Sequence, residues 1–334
     1  NRREDTLECL RSLQHQTYLY TRVILVDNAS TDGTVEAVRS LYPMVEVIET
    51  GQNLGFTGGN NVGIQHALDD GADYILLLNN DTVVAPDMIE QMVSVMEQDS
   101  SVAITGPTIY YYEQPEMIWS AGGSIDWKRG LTFMVGEGEE DKGQFGTEPR
   151  EVEFATGCAL MVRRDVWEQV GLLDDTFFMY YEEVEWCVRA RRHGMKIVHV
   201  PMAMMWHKIS LQGRETTPGA YYYLTRNRLL FLSQSHASLQ TWLYTLGDYA
   251  RTWLSWTIKP KWQDRRRQRE KDKLYYYLFD SYDEEDSAPH YERYEWRSTK
   301  RPEHVISEHT ETIMRRVAHF TTQREWYADR GKPH

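Results

Sequence analysis

Residues 74–82 are Tyr74-Ile75-Leu76-Leu77-Leu78-Asn79-Asn80-Asp81-Thr82, an apolar run of strand length that ends abruptly in polar residues. A short run that stops at turn-forming residues predicts a strand buried on both faces. The same pattern occurs at residues 23–26, which lead into the polar stretch 27–33. Segments 34–41 and 61–68 have the spacing of amphipathic helices. The alternation predicts an α/β fold with a mostly parallel sheet flanked by helices.

Asp81 lies where such a sheet binds its ligands, because ligands bind beyond the carboxyl ends of the strands. With Asn79 and Asn80 beside it, its carboxylate could hold a hard divalent cation against phosphate oxygens. The alternative is that these residues form only a turn and a helix cap before Pro86. The local sequence leaves both interpretations open.

Several other polar residues have a functional and a structural interpretation. Asp27 and Asn28 could contact a nucleoside or cap the helix that follows them. His207 follows the last predicted strand, 196–201, and could be a metal ligand or a contact to the leaving phosphate, although a lone histidine is more often structural. Arg226 and Arg228 suit a diphosphate, although arginines on a helix are usually solvated surface residues.

An acidic cluster follows Tyr180 and Tyr181, where Glu182, Glu183 and Glu185 come close together. Crowded carboxylates beside aromatic rings raise each other's pKa, which makes one of them a candidate general base. The structural alternative is the start of a helix, whose dipole favours acidic residues. Both interpretations can hold at once.

Composition limits the classes of function. The chain has 334 residues, 41% hydrophobic and 26% charged, and its net charge of -13 argues against a nucleic-acid-binding surface spread over the molecule. Three widely spaced cysteines suggest neither a disulfide framework nor a zinc cluster, which favours a reducing compartment. The first residues have no apolar core, and no apolar run is long enough to cross a bilayer. We therefore expect a cytoplasmic protein.

The character of the sequence changes after Ser233, which predicts a catalytic domain over 1–232 and a helical extension over 233–334. Residues 239–258 form a tryptophan-containing helical stripe, and a basic run continues to residue 273. This pattern fits a helix lying on the anionic inner face of the cell membrane. The alternative is a helix that packs against the catalytic domain or against another subunit of a homo-oligomer. The chain also begins on a helix, so we expect a first strand to be missing through truncation.

The order of the motifs resembles the family 2 glycosyltransferases, particularly the rhamnosyltransferase-like branch. The resemblance covers roughly the first two-thirds of the chain, and its strength comes from six motifs in one order. It implies a GT-A fold, which is Rossmann-like, and an inverting transfer. The motifs are Val26-Asp27-Asn28-Ala29-Ser30-Thr31-Asp32-Gly33, Asn53-Leu54-Gly55-Phe56-Thr57-Gly58-Gly59-Asn60-Asn61, Leu78-Asn79-Asn80-Asp81, Gly157-Cys158, Tyr181-Glu182-Glu183-Val184-Glu185 and Arg226-Asn227-Arg228.

The resemblance also implies roles for the site residues. Asp81 occupies the last position of the family's Asp-X-Asp motif, so with His207 it should hold Mg²⁺ or Mn²⁺ at the diphosphate. Glu183 stands where the family usually has the catalytic aspartate, which leaves Glu182 or Glu185 as alternative bases. The remaining residues are expected to bind the donor nucleotide or its diphosphate: Asp27, Asn28, Asn53, Gly55, Asn60, Asn80, Arg226 and Arg228.

These roles predict transfer of a sugar from a nucleoside diphosphate to a hydroxyl of a glycan or lipid-linked acceptor in cell-surface polysaccharide assembly. The resemblance favours rhamnose, from dTDP-rhamnose, over a UDP-sugar. One rival function is nucleotidyl transfer, which would need a Gly-rich basic phosphate loop near the N-terminus, and the sequence shows none. The other rival is a non-catalytic sugar-binding or scaffolding module, which is supported by Glu183 in place of aspartate and by the missing strand.

Overall fold

The computed structural model describes residues 1–209 and 218–258. The chain divides into two compact units, Asn1–Tyr249 and a second unit that begins at Ala250. The described helices are α1 (Arg3–Leu13), α2 (Thr34–Leu41), α3 (Gly55–Asp69), α4 (Met88–Gln98), α5 (Arg164–Val170), α6 (Glu182–Arg192), α7 (Pro218–Gln234) and α8 (Leu239–Ile258), with a short 3-10 helix at Asp175–Phe177. The described strands are β1 (Ile24–Asp27), β2 (Glu46–Glu49), β3 (Tyr74–Leu78), β4 (Thr82–Val84), β5 (Val102–Tyr111), β6 (Ile118–Ser120), β7 (Gly123–Asp126), β8 (Leu131–Met134), β9 (Arg150–Glu151), β10 (Ala159–Arg163) and β11 (Lys196–His207).

Part of the predicted C-terminal extension lies outside the described residues. This applies to the basic run from residue 259 and to the polar tail. The division of the chain at residue 233 therefore stays a prediction. Within residues 1–209 and 218–258, no helix combines the length and the apolar character needed to cross a bilayer.

A seven-stranded sheet forms the centre of the first unit. Its order is β3-β10-β5-β11-β4, with β6 beside β5 and β9 beside β11. A separate parallel pair is formed by β1 and β2, and β7 and β8 form an antiparallel pair. Helix α4 packs on β5 and β11, and α5 packs on β10. The predicted α/β class, a sheet flanked by helices, is confirmed.

The larger sheet is mixed rather than mostly parallel, so this detail of the prediction was wrong. Strands β5 and β11 run parallel, but β10 is antiparallel to both β3 and β5, and β4 is antiparallel to β11. A parallel neighbour needs a crossover of about a dozen residues or more, usually a helix. Strand β4 instead follows β3 after only residues 79–81, with no crossover between them, so the chain turns back and β4 joins β11 in the antiparallel direction.

Apolar clusters of the described residues pack the elements of the first unit together, and two of them bear on the site. The larger one packs α5 and α6 against the sheet, and it includes the indoles of Trp167 and Trp186, whose ring centroids are 4.2 Å apart and whose planes are tilted by 33°. The smaller one joins α1, α2 and the β1–β2 pair through side chains such as Leu10, Val38 and Tyr42. Cys9, Cys158 and Cys187 are buried as free thiols.

Helix α3 starts at Gly55 rather than at residue 61, where the predicted helical segment begins, so the Gly-rich stretch forms its first turns. Glycine is a poor helix former, and the sequence therefore hid this start. The glycines permit a close approach, because a Cβ at Gly59 would lie 2.7 Å from the Asn28 amide nitrogen and one at Gly63 would lie 3.0 Å from Val26. Packing of α3 against β1 outweighs the low helix propensity.

The strand boundaries near the site also differ from expectation. Strand β10 begins only at Ala159, because Phe154 before it forms a single bridge to Gly123 and no ladder. The last strand, predicted to end at Pro201, continues to His207 after an irregularity between Val200 and Met204. This continuation carries His207 to the same end of the sheet as residues 79–81.

Candidate active site

Asp81 and His207 come together because their strands are neighbours. Asp81 immediately precedes β4, and His207, the last residue of β11, pairs with Thr82. The His207 Nε2 atom lies 3.2 Å from Asp81 Oδ1, and Arg2 Nη1 lies 2.6 Å from Asp81 Oδ2. The side chains of His207 and Asp81 are only 3% and 13% exposed, so the carboxylate is enclosed and faces two nitrogen groups.

The surroundings of Asp81 favour its carboxylate form. Burial alone would raise the pKa of the Asp81 carboxyl, but the hydrogen bond and charge of His207, followed by the charge of Arg2, hold this pKa below its usual range. A carboxylate and an imidazole are both metal ligands, and a carboxylate with substrate phosphates is the usual way proteins bind Mg²⁺. The guanidinium on Asp81 shows that a cation is stabilised at this position. These residues therefore fit a divalent cation shared with a diphosphate.

Another group of potential ligands lies elsewhere, at Glu46, His66 and Asp70. His66 Nε2 is 2.7 Å from Glu46 Oε1 and 3.3 Å from Asp70 Oδ2. Arg22 also forms ion pairs with both carboxylates, at 2.8 Å for Asp70. This network already contains its own cation, and we assign it to the surface connection of β1, β2 and α3.

Glu183 lies at the same end of the sheet as Asp81. Strand β10 begins where β3 ends, and the Asn79 amide donates to the Cys158 carbonyl oxygen at 3.0 Å. Just before β10, a Cβ on Gly157 would lie 3.6 Å from the Glu183 Cβ and 3.0 Å from the Phe56 ring. Glycine at residue 157 thus leaves room beside Glu183, next to the loop that carries Asp81.

The three glutamates of the acidic cluster occupy the first turn of α6 in different environments. Both oxygens of Glu185 accept from Arg189 Nε at 2.9 Å, and Arg189 also donates to the carbonyl oxygens of Val170 and Leu172. Burial raises the pKa of Glu185, and the neighbouring Arg189 opposes that rise. The geometry gives Glu185 a structural contact, whereas Glu182 is 4% exposed and Glu183 is partly exposed. Glu183 is therefore the best-placed candidate base.

The backbone before α6 is strained. Phe178, Tyr180 and Tyr181 have φ angles of 63°, 68° and 73°, which bulky L residues rarely adopt. Each such residue costs on the order of 1 kcal/mol or more and persists only where its surroundings enforce it. The strain lies directly next to the acidic cluster.

Four of the residues expected to bind the nucleotide line one cavity of about 680 Å³, namely Asp27, Asn28, Asn60 and Asn80. The Asp27 carboxylate accepts from the Ser30 amide at 2.9 Å, so it also orders the turn after β1. The cavity is polar here because it lies beyond the carboxyl ends of β1 and β3.

Asn53 and Gly55 shape the edge of this region. Asn53 Oδ1 accepts from the Gly55 amide at 2.9 Å, and the Gly55 carbonyl oxygen accepts from Asn28 Nδ2 at 2.8 Å. Gly55 has a φ of 72°, and a Cβ there would lie 2.5 Å from the Phe178 carbonyl oxygen. The two residues therefore join the turn after β1 to the strained turn before α6.

The cavity continues between β1 and β3, which belong to different sheets. Leu10 and Leu13 of α1 and Ile64 of α3 line it together with both strands. The further strand that we expected from the sequence stays a prediction.

Arg226 and Arg228 bind protein backbone. Arg226 Nη2 donates to the Thr176 carbonyl oxygen at 2.6 Å. Arg228 is 6% exposed and donates to the carbonyl oxygens of Gly130 and Arg129 at 3.0 and 2.8 Å, with Asp248 at 3.3 Å. These contacts favour a structural role for Arg228, and its proposed contact to a diphosphate stays a prediction.

The sequence analysis did not identify two residues that lie near the site. Lys208 directly follows His207, and its Nζ binds Asp5 at 2.7 Å and also Glu8. Asn227 stands between the two arginines of the last motif and bonds to the strained turn. Its position in that motif was the one available signal.

The sequence pattern described as "Glycosyl transferase family 2" matches residues 1–171. The chain is 29% identical over 222 residues to the low-salt glycan biosynthesis hexosyltransferase Agl10 of Haloferax volcanii, which covers 64% of this chain and 69% of the relative. It is 26% identical over 225 residues to the dTDP-rhamnosyl transferase RfbF of Shigella flexneri, covering 65% and 72%. It is 28% identical over 270 residues to the N-acetylglucosaminyl-diphospho-decaprenol L-rhamnosyltransferase of Mycobacterium tuberculosis, covering 75% and 83%.

A solved structure supports the same fold. The crystal structure of GalNAc-T7 with UDP, GalNAc and Mn²⁺ matches with a TM-score of 0.54 and 18% identity over 69% of this chain. The match spans 46% of the GalNAc-T7 chain, and at this identity the likeness shows the GT-A fold alone. Because the family pattern covers just over half of the 334 residues, this chain is a glycosyltransferase that belongs to glycosyl transferase family 2.

Proposed function

We propose that this protein is an inverting, metal-dependent glycosyltransferase that moves a hexose, with rhamnose favoured, from a nucleoside diphosphate to an acceptor hydroxyl. One observation carries the proposal: the Asp81 carboxyl group beside His207 lies at the same end of the sheet as Glu183. The arrangement supplies a site for the leaving diphosphate and a separate carboxylate for the acceptor. The presence of both groups argues against the rival function, a non-catalytic sugar-binding or scaffolding module.

Asp81 and His207 would hold Mg²⁺ or Mn²⁺ together with the diphosphate. When bound, such a cation offsets the negative charge on the departing nucleoside diphosphate. The chain's own contribution is a buried carboxylate fixed at the end of the sheet, so little reorganisation is needed. Asp27, Asn28, Asn60 and Asn80 would bind the nucleotide from the cavity that they line.

Glu183 would accept the proton of the acceptor hydroxyl while the oxygen attacks the anomeric carbon. One displacement from the face opposite the leaving group inverts the configuration at that carbon. Gly157 keeps the space beside Glu183 open, because a side chain at this residue would meet both Phe56 and Glu183. Glu183 is thus positioned to reach an acceptor next to the donor site.

The relatives' names favour one donor and two kinds of acceptor. One relative is named a dTDP-rhamnosyl transferase and another an L-rhamnosyltransferase of a diphospho-decaprenol compound. We therefore propose dTDP-rhamnose as the donor, with a UDP-sugar as the alternative. The proposed acceptor is a glycan or a lipid-linked glycan in the assembly of a cell-surface polysaccharide.

Donor turnover tests the proposed function. We expect the protein to release dTDP from dTDP-rhamnose with Mg²⁺ or Mn²⁺, the sugar passing to water in place of the acceptor hydroxyl, and to do so faster than it releases UDP from UDP-sugars. Release should stop in EDTA, because the site without a cation cannot offset the charge of the leaving diphosphate. Nucleoside diphosphate release measures this directly. Turnover that is insensitive to EDTA would contradict the metal requirement, and no release from any donor would contradict the enzymatic function.

We also propose that α8 contacts the inner face of the cell membrane from the cytoplasmic side. In the first unit, Leu239, Leu243 and Leu246 of this helix are 75%, 64% and 51% exposed, and in the second unit Trp253 is 63% exposed. The sequence after residue 258 is strongly basic and would suit anionic lipids. The competing role, contact with another copy in a homo-oligomer, stays a prediction.

Vesicle binding tests this contact. We expect the protein to co-sediment with vesicles containing phosphatidylglycerol more than with phosphatidylcholine vesicles, and Leu243→Glu to weaken this binding because it places a charge on the apolar stripe. Leu41→Glu is the matched control, since Leu41 is 59% exposed on a different helix. Equal weakening by both substitutions, or a concentration-dependent dimer that loses its stability on Leu243→Glu, would contradict the membrane contact.

A further inference from the structure

The strained turn before α6 is held by an unbroken series of backbone contacts. Five consecutive carbonyl oxygens, from residue 176 to residue 180, each accept a hydrogen bond from α3 or α7. Arg226 Nη2 binds the first at 2.6 Å, the Thr57 amide binds the third at 3.0 Å, and Asn227 Nδ2 binds the other three. Such complete use of carbonyl oxygens in an irregular segment indicates a turn whose conformation is imposed from outside.

Asn227 makes the central contribution to this turn. Its Nδ2 lies 2.9, 2.7 and 2.8 Å from the carbonyl oxygens of Phe177, Met179 and Tyr180. Asn227 is fully buried, and its Oδ1 accepts from Arg226 Nη1 at 3.0 Å. An amide nitrogen has two protons, so three carbonyl oxygens share them and point toward one atom. This convergence enforces the unusual φ angles.

The turn determines where α6 begins. Tyr181 is the N-cap residue of α6 and has a left-handed backbone, and no side chain caps the helix there. Helix α6 therefore takes its starting position from the turn. Glu183 follows two residues later, with its Cβ near Gly157. A shift of the turn would move the Glu183 carboxylate relative to Asp81.

We propose that Asn227 is a positioning residue that fixes the strained turn and thereby sets the position of the Glu183 carboxylate relative to the donor. The proposal rests on the proposed function, in which Glu183 is the base. Asn227 itself touches neither donor nor acceptor in this account. Its role depends on three hydrogen bonds that no other residue type of this size provides in the same geometry.

A kinetic comparison tests the role of Asn227. We expect Asn227→Ala to lower kcat for dTDP release from dTDP-rhamnose with Mn²⁺ by about 10- to 100-fold, because small misplacements of a reacting group are costly. The Kd of dTDP with Mn²⁺ should stay unchanged, since the residues that line the proposed nucleotide cavity, Asp27, Asn28, Asn60 and Asn80, lie on other elements. In the Glu183→Gln background, Asn227→Ala should have little further effect, because both changes act on one step.

Gln16→Ala is the matched structural control. Gln16 is a buried amide that binds the Ala85 carbonyl oxygen at 2.7 Å and accepts from the Ile89 amide at 3.2 Å, away from α6. It should lower the Tm and leave kcat unchanged. Asn227→Ser retains one donor, and it should give an intermediate kcat if Asn227→Ala does not fold.

The outcomes separate this proposal from the proposed function. An equal loss of kcat in Asn227→Ala and Gln16→Ala, or a full additional loss in the Glu183→Gln background, would overturn the positioning role of Asn227. Weaker binding of dTDP by Asn227→Ala with an unchanged kcat would also overturn this role. No turnover by the native protein would instead overturn the proposed function, and the role of Asn227 would fall with it.

Discussion

Replacing Asp81 by alanine is expected to lower kcat/KM for nucleoside diphosphate release by about 100-fold or more, the size of the loss when one group that stabilises developing charge is removed. The physical reason is the enclosed position of the carboxylate, 3.2 Å from His207 Nε2 and 13% exposed. Without this carboxylate, His207 is the one predicted metal ligand that remains, so the cation that offsets the charge of the leaving diphosphate is held less tightly. Steady-state kinetics at several Mn²⁺ concentrations measure the effect.

Two further variants distinguish loss of the metal site from loss of the fold. Asp81→Asn keeps the shape of the side chain and should raise the Mn²⁺ concentration needed for half-maximal turnover. Asp165→Ala is the matched control, because Asp165 pairs with Arg163 at 2.7 Å at the opposite end of β10. It should leave kcat/KM unchanged. An Asp81→Ala variant with a native Tm and nearly native kcat/KM would remove Asp81 from the mechanism.

The elements that position Asp81 could be predicted because local signals and packing agree there. The boundaries of β3 and α2 match the sequence-based expectation residue for residue. Strand β3 is a continuous apolar run of strand length, α2 has an apolar pattern of helical period, and turn residues bound both. The polar loop after β3 therefore followed directly from the sequence.

Features that depend on tertiary contacts could not be predicted in this way. Helix α3 starts within a Gly-rich stretch because its glycines approach Asn28 and Val26, which local propensity does not reveal. Arg228 had the residue type of a diphosphate ligand, but its donors bind the carbonyl oxygens of residues 129 and 130. A guanidinium suits backbone oxygens as well as phosphate, so residue type alone does not decide between them.

The acidic cluster also shows that residue type alone does not decide a role. Glu182, Glu183 and Glu185 are equivalent in a sequence pattern, and the structure separates them by their partners. Glu185 is distinguished by a side chain four residues later, because Arg189 takes both of its oxygens. The position of Glu183 is set by contacts more distant in sequence, from Gly157 and from the turn that Asn227 holds.

Glu183→Gln is expected to lower kcat for sugar transfer by about 100- to 10,000-fold, which is the usual contribution of a general base. Glutamine keeps the shape of the side chain but cannot accept the proton of the attacking hydroxyl. The donor affinity should stay close to native, since Asp81, His207 and the nucleotide residues are unchanged.

The measurement is the kcat of Glu183→Gln together with its Kd for dTDP with Mn²⁺, and both are compared with those of Glu182→Gln and Glu185→Gln. Glu185→Gln should lower the Tm more than kcat, because Glu185 is bound to Arg189. A larger kcat loss in Glu182→Gln would transfer the base to Glu182, and native kcat in all three variants would exclude proton abstraction by this cluster.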